Sequence, residues 1–121
     1  MRVLEIGCGP GAAAREVARR IGDGQITAID RSAAAIRLAT AQNDPLIASG
    51  RLKFVHVAAE DYELAPGETR FDLAFAVRVG ALDGRHPEAG RLALARITAA
   101  LCPGAPLFVD GGDPIRKLWP S

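Results

Sequence analysis

The sequence predicts a doubly wound α/β fold of the Rossmann-like kind, in which a mostly parallel five-stranded sheet carries helices on both faces. Short apolar runs alternate along the chain with stretches of helical periodicity, which is the pattern of a parallel sheet covered by helices. A glycine-rich turn separates the first apolar run from the first helical stretch. Because crossovers between parallel strands are right-handed, we expect the strand order 3-2-1-4-5.

The boundaries of the elements follow from the lengths of the apolar runs and from residues that begin or end helices. Ser32 is suited to cap the second helix, Pro87 to begin the third and Gly22 to end the first. The second helix is expected to end at Asn43-Asp44-Pro45, and Pro66-Gly67 limits any helix between strands 3 and 4 to a turn or two. We therefore predict strands at residues 3–6, 25–29, 52–57, 71–77 and 107–109, and helices at residues 12–21, 32–42 (including the cap) and 87–101.

Length and composition predict a single soluble globular domain over residues 1–121. The chain has 49% hydrophobic and 24% charged residues, and its formal net charge of +1 argues against a protein that coats nucleic acid or an anionic membrane. No apolar run approaches the roughly 18 residues of a membrane span, and the first residues do not resemble a signal peptide. Cys8 and Cys102 form no C-x-x-C pair. These features predict a cytoplasmic protein without disulfides, nucleic-acid partners or membrane association.

The strongest local signal is V-L-E-I-G-C-G-P-G at residues 3–11. Its three alternating glycines let the backbone turn tightly and let a ligand approach without interference from Cβ atoms. The dinucleotide fingerprint G-x-G-x-x-A is also satisfied from Gly7 onward, so the glycines alone leave the ligand open. Glu5 puts a carboxylate beside the place where a pyrophosphate would bind, and Pro10 removes a backbone N–H donor. Both residues suit a ligand that carries no phosphate and has positive sulfonium and ammonium groups.

This loop and three later segments of the chain resemble the sequence motifs of a known protein family. E-I-G-C-G-P-G at residues 5–11, followed by I-T-A-I-D at residues 26–30, is similar to motif I and the acidic position after it in class I S-adenosylmethionine-dependent methyltransferases. F-D-L-A-F at residues 71–75 resembles the family's fourth strand. L-C-P-G-A-P-L at residues 101–107 resembles its turn into the fifth. The resemblance covers most of the chain and implies S-adenosylmethionine as the cofactor.

The resemblance also implies the cofactor-binding residues. Asp30, at the tip of strand 2, would accept hydrogen bonds from both ribose hydroxyls, although a turn carboxylate near Ser32 is the alternative. Glu5 would lie near the amino group of the cofactor. Arg31 would lie along the adenine or else be a solvated surface arginine. The set is completed by Gly7, Cys8, Gly9 and Gly11 in the loop and by Val77 at the end of strand 4.

The segment after strand 3 does not determine which residue would recognise the adenine. Family members usually have an acidic or amide residue there, but Ala58 occupies that position in the commonest alignment. Either Glu60 or Asp61 takes over, or backbone groups alone bind the adenine. The alternative for both acids is a capped surface turn.

The sequence says less about the reaction than about the cofactor, because methyl transfer from a sulfonium is an in-line displacement in which the cofactor brings its own leaving group. No catalytic residue is assigned. The candidates are His86, as a general base, and Arg78, which would bind the carboxylate of the cofactor or an acidic methyl acceptor. His86 is alternatively an N-cap, and Arg78 alternatively pairs with Asp83 or Asp110. No N-P-P-Y-like tetrapeptide is present, so a small-molecule acceptor is expected. The two histidines have no metal-ligand spacing, and we predict no metal.

Two departures from the family bear on activity. Members usually have a helix before strand 1 and strands 6 and 7 after strand 5, which this chain is expected to lack. Strand 5 would then be an open edge unless residues 114–119, a homodimer or another partner covers it. The prediction is a methyltransferase acting on a small molecule. The alternatives are an NAD(P)-binding Rossmann domain and a non-catalytic methyltransferase-like scaffold.

Overall fold

The computed structural model describes residues 1–77, 87–110 and 116–119. A single 3-10 turn at Ala59–Asp61 lies between the third and fourth strands. The strands are β1 (Arg2–Ile6), β2 (Gln25–Asp30), β3 (Leu52–His56), β4 (Leu73–Val77), β5 (Leu107–Asp110) and β6 (Arg116–Trp119), and the helices are α1 (Ala12–Arg20), α2 (Ala33–Ala41), α3 (Asp44–Ala48) and α4 (Pro87–Ala100).

The sheet confirms the predicted topology. Its order is β3-β2-β1-β4-β5-β6, and the first five of these strands are parallel. The order reverses beside β1, because β2 and β3 extend to one side and β4 and β5 to the other. In such sheets a crevice forms outside the carboxyl ends of the strands at this switch point, next to the ends of β1 and β2.

The core has two layers, one on each face of the sheet, because successive side chains of a strand point to opposite faces. Leu4 and Ile6 of β1 lie in the layer under α4, together with Ile97 of that helix. Val3 lies in the other layer with Ala14 of α1. Helices therefore cover both faces, as predicted.

Most helix signals in the sequence are confirmed. The Ser32 hydroxyl accepts a hydrogen bond from the Ala35 N–H at 3.1 Å and caps α2. The expected end of α2 at Asn43-Asp44-Pro45 is correct, but the same residues also begin the short helix α3, which was not predicted. Pro45 stands in its first turn, where the missing N–H costs nothing.

The expected five parallel strands are present, and a sixth strand extends the sheet, in agreement with the alternative that residues 114–119 cover the edge of strand 5. β6 pairs antiparallel with β5, so the chain's own residues 116–119 cover the edge. This removes the reason for expecting a second copy or a partner on that edge. Within the described residues, no helix is long and apolar enough to cross a membrane.

Candidate functional site

The glycine loop folds back onto the end of β2 through its own backbone. The N–H groups of Gly7 and Cys8 both donate to the Ile29 carbonyl, at 2.8 and 3.0 Å. The N–H of Gly11 donates to the carbonyl of Cys8 at 3.0 Å and closes a tight turn before α1. These contacts place the loop at the carboxyl ends of β1 and β2, where the sequence predicted the site.

Gly9 and Gly11 have positive φ angles of 54° and 89°, which glycine adopts without strain. A Cβ atom at Gly9 would meet nothing within 4 Å, so this part of the loop borders open space. A Cβ at Gly11 would lie 2.8 Å from Cζ of Phe54 and 3.1 Å from Cβ of Ala39. Gly9 therefore leaves its backbone accessible, whereas Gly11 is required for close packing against β3 and α2.

Asp30 ties the loop to the start of the second helix. Its Oδ2 accepts the Gly9 N–H and its Oδ1 accepts the Ser32 N–H, each at 2.8 Å. The contact to Ser32 is the turn geometry considered as the alternative, and it coexists with the contact to the loop. Each oxygen retains further acceptor capacity, because a carboxylate offers about four lone-pair sites.

A second carboxyl group lies behind the loop. The Glu5 side chain is only 2% exposed, and its Oε1 is buried without a hydrogen-bond partner. Burial first, and then repulsion from Asp30, raises the pKa of Glu5 to about 7. An orphaned polar atom of this kind is costly unless a ligand or ion satisfies it.

Cys8 is a buried free cysteine whose Sγ lies 3.5 Å from the Gly9 carbonyl. Burial raises the pKa of its thiol to about 12, and repulsion from the carboxylates of Glu5 and Asp30, both ionised at that pH, acts in the same direction. Because the thiolate is the reactive form, this cysteine is suited to packing rather than to nucleophilic chemistry.

The remaining predicted residues lie at the same edge or outside the described residues. Arg31 is exposed and follows Asp30 directly, and its carbonyl lies 3.0 Å from Nε2 of His56. Glu60 and Asp61 are on the 3-10 turn after β3, the first half-buried and the second exposed. Val77 ends β4. Arg78 and His86, the candidates for contact with the methyl acceptor, lie outside the described residues.

Two residues near the site were not predicted to belong to it. His56 ends β3 in register with Asp30, and Phe54 packs behind Gly11. The parallel register of β2 and β3 is the signal that would have found His56, since it aligns the ends of the two strands. Among the described residues, no group of three or more histidine, cysteine or acidic side chains is arranged to hold a metal ion.

An apolar groove of about 460 Å³ lies elsewhere. It is lined by residues at the amino ends of β1 and β4 and on α1, including Met1, Val17 and Leu73. Ligands of open parallel sheets bind at the carboxyl ends of the strands, so this groove is not the candidate site.

The backbone donors of the loop discriminate between classes of ligand. The N–H groups of Gly7, Cys8, Gly9 and Gly11 are all engaged within the protein, and Pro10 has none. The loop itself therefore offers no free backbone donor to a phosphate, and the remaining donors are those of the first turn of α1. A cationic ligand fits this acidic crevice better than a diphosphate does.

A doubly wound sheet with a glycine loop and a strand-end carboxylate at its switch point is typical of nucleotide-binding α/β proteins. The family model described as a methyltransferase domain matches residues 3–104. The chain therefore belongs to the methyltransferase domain family. No curated protein sequence matches it significantly.

Solved structures share this fold. A Methanosarcina mazei protein described as a SAM-dependent methyltransferase is 26% identical, with a TM-score of 0.74 over 89% of this chain and 50% of that one. An O-methyltransferase from a polyketide synthase of Brevibacillus brevis, solved with S-adenosyl-L-homocysteine, is 15% identical, with a TM-score of 0.75 over 90% of this chain and 34% of its own. The plantazolicin methyltransferase BpumL, solved with SAH, is 17% identical, with a TM-score of 0.70 over 90% of this chain and 38% of its own. This chain thus spans about a third to a half of their lengths.

Proposed function

We propose that the chain binds S-adenosylmethionine at the carboxyl ends of β1 and β2, as the cofactor-binding part of a methyltransferase that acts on a small molecule. The observation that carries the proposal is the engagement of every loop N–H from Gly7 to Gly11 beside two carboxyl groups. This arrangement disfavours a diphosphate and favours a cation. Membership in the methyltransferase family supports the same choice.

The residues of this chain fit such a cofactor on two independent counts. Gly9 leaves open space where a Cβ would stand, which lets a ligand approach the backbone. The unpartnered Oε1 of Glu5 is a buried acceptor that lacks a donor. We assign Gly7, Gly9 and Gly11 to the methionine and ribose portions, Asp30 to the ribose hydroxyls and Glu5 to the amino group.

The remaining predicted residues are assigned to the adenine or to packing around the cofactor. Arg31 and either Glu60 or Asp61 would lie toward the adenine, since they follow the ends of β2 and β3. Cys8 would pack beneath the loop, and Val77 would border the cofactor at the end of β4.

When bound, S-adenosylmethionine supplies an electrophilic methyl group on a sulfonium that leaves as a neutral thioether. The contribution of the protein is then to bind the nucleoside, orient it and limit access of water. Asp30 and the loop hydrogen bonds fix the orientation, because they connect β1, β2 and α2 through short contacts. Arg78 and His86 remain the acceptor-side candidates from the sequence.

A small-molecule acceptor is proposed on two grounds. The chain carries a net charge of only +1, which offers little attraction to nucleic acid. Two of the structural relatives are named as an O-methyltransferase of a polyketide synthase and as the plantazolicin methyltransferase, and neither name indicates a nucleic-acid acceptor.

Isothermal titration calorimetry with S-adenosylhomocysteine and with NADH tests the proposal. We expect measurable binding of S-adenosylhomocysteine and none of NADH. Tight binding of NADH without binding of S-adenosylhomocysteine would establish a dinucleotide-binding domain instead. If the cofactor binds but is not consumed with any of a broad panel of acceptors, the chain is a non-catalytic binding protein.

A further inference from the structure

We propose that the buried carboxyl group of Glu5 carries a proton in the free protein and releases it to solvent when a positively charged cofactor binds, so that Glu5 selects ligands by charge. This inference rests on the proposed function and extends it to charge selectivity and pH dependence. In the step, the O–H bond of the carboxyl group breaks, its electron pair stays on the carboxylate, and the proton passes to the buffer.

The geometry around Glu5 favours its neutral form in the free protein. Glu5 sits on the central strand, where its register neighbours are Ala28 on β2 and Phe75 on β4, both apolar. Its side chain is 2% exposed and Oε1 has no donor to stabilise a negative charge. An ionised carboxylate in such surroundings pays a large desolvation penalty, whereas a protonated one does not.

The titratable and charged groups around Glu5 do not stabilise its ionised form. Asp30 on β2 is negative, and its repulsion adds to burial in raising the pKa of Glu5 to about 7. Cys8 in the loop stays a thiol, since the pKa of that thiol is raised to about 12. On α1, the Arg15 guanidinium donates through Nε to Oδ1 of Asn43 at 2.7 Å. Among the described residues, no hydrogen bond or ion pair joins a cation to Glu5.

A bound cation reverses this balance. A positive charge within a few ångströms favours the carboxylate, so the pKa of Glu5 would fall on binding. A neutral ligand of similar shape gives no such gain. Binding of the cationic ligand and binding of the proton to Glu5 are therefore linked: the ligand lowers the affinity of Glu5 for its proton, and the proton lowers the affinity of the site for the ligand.

Calorimetry in buffers of different ionisation enthalpy counts the protons released on binding. Because the α-amino group of S-adenosylmethionine also titrates near pH 8, the protons from Glu5 are counted as the difference between the unmodified protein and Glu5→Gln. We expect this difference to be about 0.9 protons at pH 6, about 0.5 at pH 7 and about 0.1 at pH 8, which is the titration of a group with a pKa near 7. The affinity should rise about fivefold between pH 6 and pH 7 and about tenfold between pH 6 and pH 8, and it should level off above pH 8. The uncharged nucleoside 5′-methylthioadenosine should release no proton.

Three variants complete the experiment. Glu5→Gln keeps the shape of the side chain but removes its titratable proton, so it should abolish the proton release by this residue. Glu63→Gln is the matched control, because Glu63 is exposed and pairs with Arg96. His56→Gln should retain the release, which excludes the histidine next to Asp30 as the source.

The outcomes separate this inference from the proposed function. Binding of S-adenosylmethionine without proton release, or with the same release in Glu5→Gln, overturns the inference alone. Absence of any binding of S-adenosylmethionine overturns both. If Glu5→Gln does not fold, the comparison of S-adenosylmethionine with 5′-methylthioadenosine in the unmodified protein decides: equal proton release by both ligands overturns the inference.

Discussion

The backbone N–H of Gly9 donates to Oδ2 of Asp30 at 2.8 Å, which joins the glycine loop after β1 to the end of β2. The other oxygen of the same carboxylate accepts the N–H of Ser32, the residue that caps α2. One side chain thus fixes the loop, the strand end and the helix start relative to one another. A site assembled in this way is organised before any ligand arrives, which lowers the entropic cost of binding.

Replacing Asp30 tests the role of this carboxylate. Asp30→Ala should weaken binding of S-adenosylhomocysteine by about 1–3 kcal/mol, because a charged hydrogen-bond acceptor is lost. It should also lower the free energy of unfolding, since the N–H groups of Gly9 and Ser32 lose their partner. Calorimetry and thermal denaturation measure the two effects. Asp23→Ala, at an exposed position after α1, is the control. An unchanged affinity for Asp30→Ala would remove Asp30 from the binding site.

Gly9→Ala tests whether the open space at the loop belongs to the ligand. A Cβ there meets no protein atom, so the fold should survive at a cost of about 1–2 kcal/mol for the positive φ. Binding of S-adenosylhomocysteine should nevertheless fall at least tenfold, because the methyl group would occupy the approach path. Gly67→Ala carries the same kind of strain in open space, at a φ of 81° and outside the glycine loop, and should bind normally. Equal affinities for the two variants would contradict the assignment.

Gly11→Ala should damage folding rather than binding alone. Its Cβ would lie 2.8 Å from the Phe54 ring, closer than real Cβ contacts, and 3.1 Å from Cβ of Ala39, which is tighter than most. Added to the positive φ, this overlap should destabilise the protein by about 2–4 kcal/mol, more than Gly9→Ala does. Urea denaturation of both variants gives the comparison. A Gly11→Ala variant as stable as Gly9→Ala would show that the contact with β3 is not close-packed.

The buried carboxyl group of Glu5 predicts a pH-dependent stability. Its pKa is about 7 in the folded protein and about 4.5 when exposed, so the folded state binds the proton more tightly. Its contribution is fully present below pH 4.5 and is lost as the pH rises through 7, by about 3 kcal/mol in total. The free energy of unfolding of the unmodified protein should therefore fall between pH 5 and pH 8 relative to that of Glu5→Gln. Parallel pH profiles for the two proteins would contradict the assignment.

The sheet and the location of the site were predictable from local patterns. The apolar strands, the Ser32 cap and the glycine loop are each specified by neighbouring residues, and right-handed crossovers then determine the order of the first five strands. Asp30 could be placed at the site because it directly follows a buried strand beside the switch point.

Other features depend on contacts between distant residues and could not be predicted. β6 is a short strand that acquires its structure by pairing with β5, and its sequence carries little strand signal of its own. Oε1 of Glu5 has no hydrogen-bond partner, and its register neighbours Ala28 on β2 and Phe75 on β4 have apolar side chains that offer no donor. The N–H groups of Gly7, Cys8 and Gly9 are engaged by the Ile29 carbonyl and the Asp30 carboxylate, which lie about 20 residues away in sequence. Local periodicity contains no information about such partners.

A crystal structure with S-adenosylhomocysteine tests the central claim most directly. We predict that the nucleoside lies against Gly9, with its ribose hydroxyls within hydrogen-bond distance of the Asp30 carboxylate and with its amino group on the side of Glu5. Electron density for the ligand away from the carboxyl ends of β1 and β2, or a ribose that makes no contact with Asp30, would contradict the claim.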